Sequence, residues 1–536
     1  MAGSDTRQAA GPGSCRFAAG RLLPLLDSFE KEIGGVREGK DIEYIHRMRV
    51  ASRRLRAALP LFSSCFAPGD YQAWMQELKK ITRALGEVRD TDVQLDFLRS
   101  YAKKIRKNGG NGEAADRMRA ALAAEIGIFI HRLGRKRSVL QDHVTAALDG
   151  LGKSGALPAM RAAFLGLEVP AGKTKRGPPA TGIPGTAADR IALRIEEFLS
   201  FEPYLADPDA ITEHHAMRIA AKKLRYTIEV YGPVYRLSLK KPLRRVKKVQ
   251  EILGDIHDCD VWIDTLAKMI VRQRTRPRAG IVTEKGVHTL TGIRLFLHDR
   301  EKQRRVLHRR MLQYWNSLLR AHAWQELRSS LVSGVRTGFL PRKPEEAGAV
   351  RAAVGVLMAQ SPDHQVHETQ VTRLALALFD QMAPIHHLGR YERLILEHAG
   401  LLHDIGWKFG QRAHSSRGRE MILSEESLPF TLPDRIVIAL IVRSHRRAIA
   451  PESDALYPCL SRAEQETART LSAILRVADG LDYLHSSVVA DVRITITPER
   501  VLIAVTPEQG ADLERARALV KADLMRTVFS REVMVP

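Results

Sequence analysis

The amino-acid sequence predicts a mainly α-helical protein, in which a duplicated helical bundle is followed by a second helical domain that ends in a β-hairpin and a helix. Long segments such as 71–98 and 287–319 carry apolar residues at the three- and four-residue intervals of amphipathic helices. The Val- and Ile-rich segments 488–497 and 501–505 predict the hairpin, before a last helix from about 511 to 529.

The first part of the chain contains a basic module twice. The segment HRMRVASRRLR at 46–56 returns as HAMRIAAKKLR at 215–225, and LGEVRDTDV at 85–93 returns as LGDIHDCDV at 253–261. Both blocks keep their order, and the cationic positions stay in register. This pattern indicates an internal duplication, because an ordinary solvated helix face has no reason to repeat its cation spacing.

Each copy places four basic residues on one side of a helix. At about 100° per residue, those of the first copy fall within a sector of roughly 80°. The two stripes are His46, Arg49, Arg53 and Arg56, and His215, Arg218, Lys222 and Arg225. Because like charges repel one another, the stripes predict an anion with several charges, bound in a groove between the two copies. Further cations precede the Leu-Gly blocks at Lys79, Lys80, Arg83, Arg244, Arg245, Lys247 and Lys248.

The positive charge belongs to the first part of the chain. The protein has 84 Lys and Arg against 61 Asp and Glu, a formal net charge of +23. Residues 341–536 hold 24 of the basic and 25 of the acidic residues, which leaves 60 and 36 in residues 1–340. The first part, with a net charge of +24, is therefore expected to meet the anionic partner.

The whole-chain composition predicts a soluble, intracellular protein with several domains. Its 536 residues exceed what one hydrophobic core supports. The four cysteines, at positions 15, 65, 259 and 459, lack the spacing of a metal site or a disulfide framework, which fits a reducing compartment. We find no apolar run of membrane-spanning length and no secretory signal, so we expect a cytoplasmic location and no membrane partner. The sequence leaves the oligomeric state open.

Composition also predicts the domain boundaries. We expect a disordered N-terminus at 1–15, a flexible linker rich in Gly, Pro and charge at 166–188, and an interdomain linker at 336–346, where prolines interrupt the helical pattern. The remaining units are a first helical half (16–165), a second helical half (189–335), a helical metal-binding domain (347–486) and a C-terminal hairpin and helix (487–536).

The duplicated pattern His-x-x-Arg-(x)3-[Arg/Lys]-[Arg/Lys]-Leu-Arg, with its Leu-Gly and Asp-x-Asp blocks, resembles the CHAD domain, a conserved-histidine α-helical domain, over residues 16 to about 335. The resemblance implies two helical bundles around a basic surface that binds inorganic polyphosphate, and hence an association with polyphosphate granules. With the neighbouring cations, the predicted anion-binding residues are His46, Arg49, Arg53, Arg54, Arg56, Lys79, Lys80, Arg83, His215, Arg218, Lys222, Lys223, Arg225, Lys247 and Lys248.

Nucleic acid is the alternative polyanion. Guanidinium groups grip any phosphate, and counterion release does not distinguish one phosphate chain from another. Bases are gripped by stacking on exposed aromatic side chains, which the basic repeats lack except for Tyr226. The scarcity of aromatic residues favours a polymer without bases, and RNA binding stays open as an alternative.

The last third of the chain predicts a metal site. The segment LLHDIG places His403 and Asp404 near the end of an apolar helix, where Asp is costly unless it is paired or bound to a metal. His367 opens another helix, and Asp479 lies in the segment LRVADGLD. Two imidazoles with two carboxylates suit divalent Mn, Fe, Co, Ni or Zn better than Mg.

Together with HETQV at 367–371 and RSHRR at 443–447, these segments resemble the HD phosphohydrolase superfamily over about 345–536. More narrowly, they resemble the HD-type C-terminal region of the exopolyphosphatase and guanosine pentaphosphate phosphohydrolase family, without that family's actin-like ATPase-type half. The resemblance implies the metal ligands His367, His403, Asp404 and Asp479. The predicted catalytic residues are His403, Asp404, His414 and His445.

The other polar residues of this region leave several roles open. His414 and His445 would hold a second ion or protonate the leaving oxygen, and Arg446 or Arg447 would counter phosphoryl charge. His364 competes with His367 as first ligand. Three further histidines, at 386, 387 and 398, are interpreted as surface or packed residues.

The sequence therefore predicts an inorganic polyphosphate-binding protein with a metal-dependent phosphohydrolase domain. The substrate of that domain would be a phosphate ester or anhydride, and phosphorylated nucleotides are among the candidates. One alternative is a non-catalytic polyphosphate-binding and targeting protein with a regulatory HD domain. The other is an RNA-binding protein.

Overall fold

The computed structural model is mainly α-helical, which confirms the predicted fold class. It describes residues 11–107, 113–167, 182–235, 238–275, 284–333, 344–359, 365–446, 450–507 and 509–536. The helices of the N-terminal part are α1 (Pro12–Glu30), α2 (Ile33–Glu38), α3 (Ile42–Ala58), α4 (Pro68–Lys107), α5 (Glu113–Lys153), α6 (Ala156–Gly166), α7 (Gly182–Leu199), α8 (Ile211–Tyr231), α9 (Lys240–Thr275), α10 (Glu284–Arg320) and α11 (Ala323–Ser333).

The C-terminal part is also built mainly of helices. They are α12 (Pro344–Met358), α13 (Gln365–Gln381), α14 (Ala383–His386), α15 (Arg390–Leu401), α16 (His414–Ser424), α17 (Leu432–Ser444), α18 (Arg462–Gly480), α19 (Asp512–Lys521) and α20 (Asp523–Phe529). Short 3-10 helices cover Leu59–Cys65, Glu202–Tyr204, Gly232–Tyr235, Trp407–Phe409, Pro451–Ser453 and Tyr457–Cys459. The strands are β1 (Asp491–Ile496), β2 (Arg500–Thr506) and β3 (Glu532–Met534).

The internal duplication is visible in the packing of the N-terminal part. In each copy the helix with the basic segment, α3 or α8, packs on the long helix that carries the Leu-Gly block, α4 or α9. That long helix in turn pairs with α5 or α10. The two copies meet where α3 contacts α8 and α5 contacts α10, so both basic helices lie at the junction.

The second Asp of the Asp-x-Asp motif in each Leu-Gly block braces this arrangement. Asp92 accepts a hydrogen bond from Arg137 of α5 at 2.7 Å, and Asp260, at the same position of the second block, pairs with Arg304 of α10. Both ion pairs are largely shielded from water. The repeated Asp-x-Asp motif thus fixes the long helices to each other.

A small sheet ends the chain. Strands β1 and β2 form the expected antiparallel hairpin, with Asp491 opposite Thr506 and Ile496 opposite Val501. Strand β3, which the sequence analysis did not predict, pairs in parallel with β2. Three residues carry too little periodicity to indicate a strand, so the pairing depends on the preceding helix returning the chain to β2.

The structure corrects two predicted boundaries. Helix α1 begins at Pro12, inside the range 1–15 predicted to be disordered, because the backbone N–H groups of Gly13 and Ser14 donate to Glu426 at 3.1 and 2.7 Å. Helix α7 begins at Gly182, inside the predicted linker 166–188, because its first turns pack on α16. Residues 168–181 of that linker, and 336–343 of the linker 336–346, lie outside the described residues.

The structure also differs from the sequence analysis at the cysteines. Cys15 of α1 and Cys65 form a disulfide, although their spacing of 50 residues suggested no pairing. The contact arises because α1 packs against the 3-10 helix that ends at Cys65. Cys259 and Cys459 are buried free thiols. Among the described helices, none is long and apolar enough to cross a bilayer.

We expect replacement of Asp260 by Ala to destabilise the protein. The change leaves the buried Arg304 guanidinium without its carboxylate, and breaking such a pair costs about 3 kcal/mol. Thermal unfolding would show a clearly lowered midpoint. Asp264→Ala is the matched control, because Asp264 lies one turn further along α9 and makes only an exposed pair with Lys268. Equal midpoints for the two variants would contradict the bracing role.

Candidate functional sites: a cation cavity and a histidine-aspartate cluster

The two basic helices line a cavity of about 690 Å³, which we call the cation cavity. Its cationic lining residues are Arg49 and Arg53 of α3, Arg218, Lys222 and Arg225 of α8, and Arg300 of α10. The two copies therefore contribute to one site. Arg300 was not predicted from the sequence, because it lies outside the repeated segments.

Burial lowers the pKa of several cationic side chains that line the cavity. Burial, reinforced by the positive charge of Arg53 and Arg218, lowers the pKa of Lys222 from 10.5 to about 7. Burial also lowers the pKa of Arg49 and Arg218 below the ordinary value for arginine. The cavity thus concentrates positive charge that the fold does not fully neutralise.

Several donors in the cavity lack acceptors. The buried Nε atoms of Arg49, Arg218, Arg225 and Arg300 have no hydrogen-bond acceptor among the described residues. A buried donor without a partner is costly, and native proteins rarely keep one without a reason. A bound anion with several oxygens would satisfy such donors.

The first Asp of the Asp-x-Asp motif in each Leu-Gly block lies at the edge of the same cavity. Asp90 accepts a hydrogen bond from Arg49 Nη2 at 2.9 Å. Asp258, its counterpart in the second block, acts on Arg218 through its negative charge. In each copy, one Asp of the Asp-x-Asp motif therefore faces the cations and the other braces the helices.

Aromatic side chains are less scarce at the cavity than the repeats suggested. Phe97, Tyr226 and Trp262 line it, and two of these rings are covered by guanidinium groups. The Arg225 guanidinium carbon lies 4.5 Å from the centre of the Tyr226 ring, and that of Arg300 lies 4.7 Å from the centre of the Phe97 ring. These rings hold the arginines in place.

The other predicted anion-binding residues are not among those lining the cavity. They are His46, Arg54, Arg56, Lys79, Lys80, Arg83, His215, Lys223, Lys247 and Lys248. Several pair with acids: Arg54 and Lys247 approach Glu229 at 3.8 and 3.2 Å, and Lys223 pairs with Glu197 at 2.5 Å. Lys80, Arg83 and Lys248 pair with Glu77, Glu87 and Glu251. His215 Nδ1 lies 3.1 Å from Nδ1 of His257.

The predicted metal-binding and catalytic residues of the C-terminal part come together in one buried cluster. His367 comes from α13, His403 and Asp404 from the turn after α15, and Asp479 from the end of α18. His414 begins α16, and His445 directly follows α17. We call these six residues the histidine-aspartate cluster. Each of them is at most 8% exposed.

Hydrogen bonds fix the imidazole tautomers. The Nδ1 atoms of His403, His414 and His445 lie 2.6, 2.9 and 2.6 Å from the backbone carbonyls of Gly400, Gln411 and Val442. A carbonyl can only accept, so each Nδ1 carries the proton and each Nε2 of the neutral ring keeps a lone pair. Burial lowers the pKa of all three rings, that of His445 to about 3, which favours this neutral form.

The Nε2 atoms of the four imidazoles face one another in two pairs. His414 Nε2 lies 3.0 Å from His445 Nε2, and His403 Nε2 lies 3.3 Å from His367 Nε2. The unprotonated nitrogens of His414 and His445 repel at this distance unless a proton or a metal ion lies between them. Burial acts to lower the pKa of His367, but the carboxylates of Asp479 and Asp482 outweigh it and raise that pKa to about 9, so this ring supplies the proton towards His403 until a metal ion displaces it. This donor set fits a divalent metal ion with nitrogen and oxygen ligands.

The Asp404 carboxylate lies between the two pairs of imidazoles. Its Oδ1 is 3.3 Å from His414 Nε2 and 3.5 Å from His445 Nε2, and its Oδ2 is 3.9 Å from Nε2 of both His367 and His403. Burial acts to raise the pKa of Asp404, but the imidazoles of His403 and His445 outweigh it and lower that pKa. The groups whose ligand atoms lie within 4.8 Å of one another are His367, His403 and Asp479; Asp404, His414 and His445; and His367, Asp404 and His485.

Three contacts of the cluster were missed by sequence reasoning. Asp482 accepts from His367 Nδ1 at 2.8 Å, the arrangement that commonly orients a metal-binding histidine. Lys521 of α19 forms an ion pair with Asp479. His485 stacks on His367 with ring centres 3.6 Å apart. Only Asp482 had a signal, since it belongs to the segment LRVADGLD.

The Gly of LLHDIG has a steric role. A Cβ on Gly406 would lie 2.1 Å from the carbonyl oxygen of His414, closer than real side chains permit. The glycine therefore lets the turn with His403 and Asp404 pack directly against the first turn of α16.

The remaining candidates are placed as follows. Arg446 Nη1 lies 3.5 Å from His414 Nδ1, at the edge of the cluster. His398 is buried against Phe430, His386 bonds to the Phe379 carbonyl, and His387 is exposed. Arg447 and His364 lie outside the described residues.

Both parts of the chain match models of known protein families. Residues 21–267 match the family model of the CHAD domain, and residues 353–527 match that of the Ppx/GppA phosphatase, domain III. The chain therefore carries a CHAD domain followed by a Ppx/GppA domain III, as the sequence predicts. No curated protein matches it.

The solved structures that are similar to the chain include the following two. The crystal structure of the CHAD domain from the plant Ricinus communis has 20% identity and a TM-score of 0.41, covering 59% of this chain and 96% of that one. PptA from Streptomyces chartreusis has 17% identity and a TM-score of 0.37, covering 56% of this chain and 99% of that one.

We expect Lys222→Met to stabilise the ligand-free protein at pH 6. The pKa of Lys222 is about 7 in the folded protein and 10.5 ordinarily, so below pH 7 the folded state bears the full cost of burying its charge. Between pH 7 and 10.5 the folded Lys222 loses its proton first, and the cost fades. Thermal midpoints should therefore show a gain at pH 6 that shrinks towards pH 10. The control is Lys223→Met, which removes a half-exposed cation paired with Glu197. No gain at pH 6 would contradict the interpretation.

Proposed function

We propose that the protein binds inorganic polyphosphate in the cation cavity and hydrolyses phosphate esters or anhydrides at a divalent metal site in the histidine-aspartate cluster. The observation that carries the proposal is the Asp404 carboxylate between two pairs of imidazoles whose Nε2 atoms converge. The CHAD and Ppx/GppA matches support a polyphosphate-related function.

The unsatisfied donors of the cation cavity support the choice of a flexible phosphate chain. Every phosphate unit of such a chain presents charged oxygens, and arginine binds these oxygens in pairs. Guanidinium groups already cover Tyr226 and Phe97, which leaves less aromatic surface for stacking a base. RNA is therefore the weaker candidate.

In the histidine-aspartate cluster, the protein groups would have distinct roles. His367, His403, Asp404 and Asp479 would hold one divalent ion, and Asp404 with His414 and His445 would hold a second. A bound divalent ion supplies Lewis-acid activation of water and of the phosphoryl group. Asp482 orients His367, and Arg446 would counter the negative charge of a bound phosphate.

One contact favours the non-catalytic alternative. Burial acts to raise the pKa of Asp479, but the Lys521 ammonium and the surrounding imidazoles hold that pKa well below its usual range. The cluster thus has an internal cation beside one of its carboxylates. If the Lys521 ammonium stays paired with Asp479, the cluster would not hydrolyse a substrate. The protein would then bind polyphosphate as a targeting protein, and its C-terminal domain would have a regulatory role.

We expect Arg53→Met to weaken polyphosphate binding at least tenfold, because it removes a cation from the cavity. The slope of log affinity against log salt should fall by about 1, as for the loss of one phosphate contact. Arg117→Met, which removes an exposed arginine paired with Glu113 on α5, should leave both quantities unchanged. Calorimetric titration at several salt concentrations measures them. If RNA displaces polyphosphate at matched salt, the choice of ligand is wrong.

We expect phosphate release from polyphosphate or a phosphorylated nucleotide to depend on added Mn²⁺ or Co²⁺ and to fall at least a hundredfold in Asp404→Asn. The substitution keeps the shape of the side chain but removes the charge that lies between the imidazoles. His387→Asn, which changes an exposed histidine of the same domain, is the control. Metal binding by the wild-type protein without phosphate release would favour the non-catalytic alternative. Absence of metal binding would overturn the site itself.

A further inference from the structure

A buried ion-pair network joins the two parts of the chain. Arg419 of α16 donates to Asp454 through Nε and Nη2, at 2.6 and 2.8 Å, and its Nη2 also donates to Asp189 of α7 at 2.6 Å. Arg443 of α17 donates to the same Asp454 at 3.0 Å. Asp189, Arg419 and Asp454 are each less than 10% exposed. Asp189 belongs to the CHAD match, and the other three residues belong to the Ppx/GppA match.

The two arginines of the network lie on the helices that position His414 and His445. Helix α16 begins at His414 and holds Arg419 in its second turn. Helix α17 ends at Ser444, directly before His445, and holds Arg443 in its last turn. Asp454 therefore ties α16 to α17, and Asp189 ties both to α7 of the CHAD domain.

The helices approach closely beside the ion pairs. A Cβ on Gly185 of α7 would lie 2.3 Å from the carbonyl oxygen of Leu423, so only glycine allows α7 to pack this near to the end of α16. Glu426, shortly after α16, accepts hydrogen bonds from the first turn of α1. The N-terminal part of the chain thus holds α16 at its ion pair, at its C-terminal end and just beyond it.

We propose that helix α7 of the CHAD domain is a positioning element for the half-site formed by Asp404, His414 and His445. The inference rests on the proposed metal site. Through Asp189 and Gly185, α7 fixes the axial position and rotation of α16. His414 lies within the first turn of that helix, so its Nε2 reaches the correct distance from His445 only when α16 is held in place. His367 and Asp479 come from α13 and α18, which hold none of the four residues of this network.

The test compares Asp189→Ala and Gly185→Ala with Asp149→Ala in the full chain. In Asp189→Ala, Arg419 keeps its two hydrogen bonds to Asp454, so no buried charge is left alone; Asp189→Asn is the milder form. Asp149 of α5 makes only a half-exposed ion pair with Arg37 of α2. Calorimetric titration with Mn²⁺ gives the number and affinity of bound ions. Hydrogen exchange of the metal-free proteins gives the opening rates at residues 414–418 and 443–446.

For Asp189→Ala and Gly185→Ala we expect the second Mn²⁺ to bind at least tenfold more weakly and the first to stay within about twofold. Amide exchange at the two segments should rise at least tenfold, whereas Asp149→Ala should match the wild type. Wild-type exchange and wild-type affinity in the folded variants would overturn the inference. A wild-type protein that binds a single ion would overturn the two-ion site, and the exchange rates would still decide whether α7 holds the helices.

Discussion

The structure of the C-terminal part depends on one buried carboxylate. Asp404 is 3% exposed, and an isolated charge at such a position would cost several kcal/mol. The imidazoles of His367, His403, His414 and His445 surround the two carboxylate oxygens. The proton that His367 carries, or a cation bound between the rings and the carboxylate, offsets this cost. This requirement explains why Gly406 lacks a side chain, and why one helix begins and another ends beside the cluster.

The CHAD domain contains a cluster of cations instead of a buried carboxylate, and it builds this cluster from the two copies of its duplicated segment. One helix can place a few basic residues on one side, but it cannot enclose an anion. A second copy packed against the first turns two stripes into a cavity in which Arg53 and Lys222 come from different copies. The fold then accepts a lowered pKa at Lys222 and unsatisfied guanidinium donors. Stability is given up at both sites where a ligand of opposite character would restore it.

The sequence predicted what local rules govern. Helical periodicity gave the fold class, the repeat gave both basic helices, and the segments around His403 and Asp479 named residues that the structure brings together. Angular position on one helix could not say which cations of a stripe face the other copy, so Arg49 and Arg56 were grouped although only Arg49 lines the cavity. Lys521, Asp189 and the disulfide were invisible, because each depends on a partner far away in the chain.

The position of α7 explains what is gained by joining the two domains in one chain. This helix packs on α8, which carries three of the cavity cations, and also on α16 and α17. An anion in the cation cavity removes the repulsion among Arg218, Lys222 and Arg225, and so favours the packing of α8 in which these side chains converge. If that packing also fixes α7 against α16, anion binding and metal binding favour the same arrangement. Thermodynamic linkage then requires each ligand to raise the affinity of the other by the same factor. Two domains joined only by a flexible linker would lack this reciprocity, because no contact would transmit a change in the packing of α8 to His414.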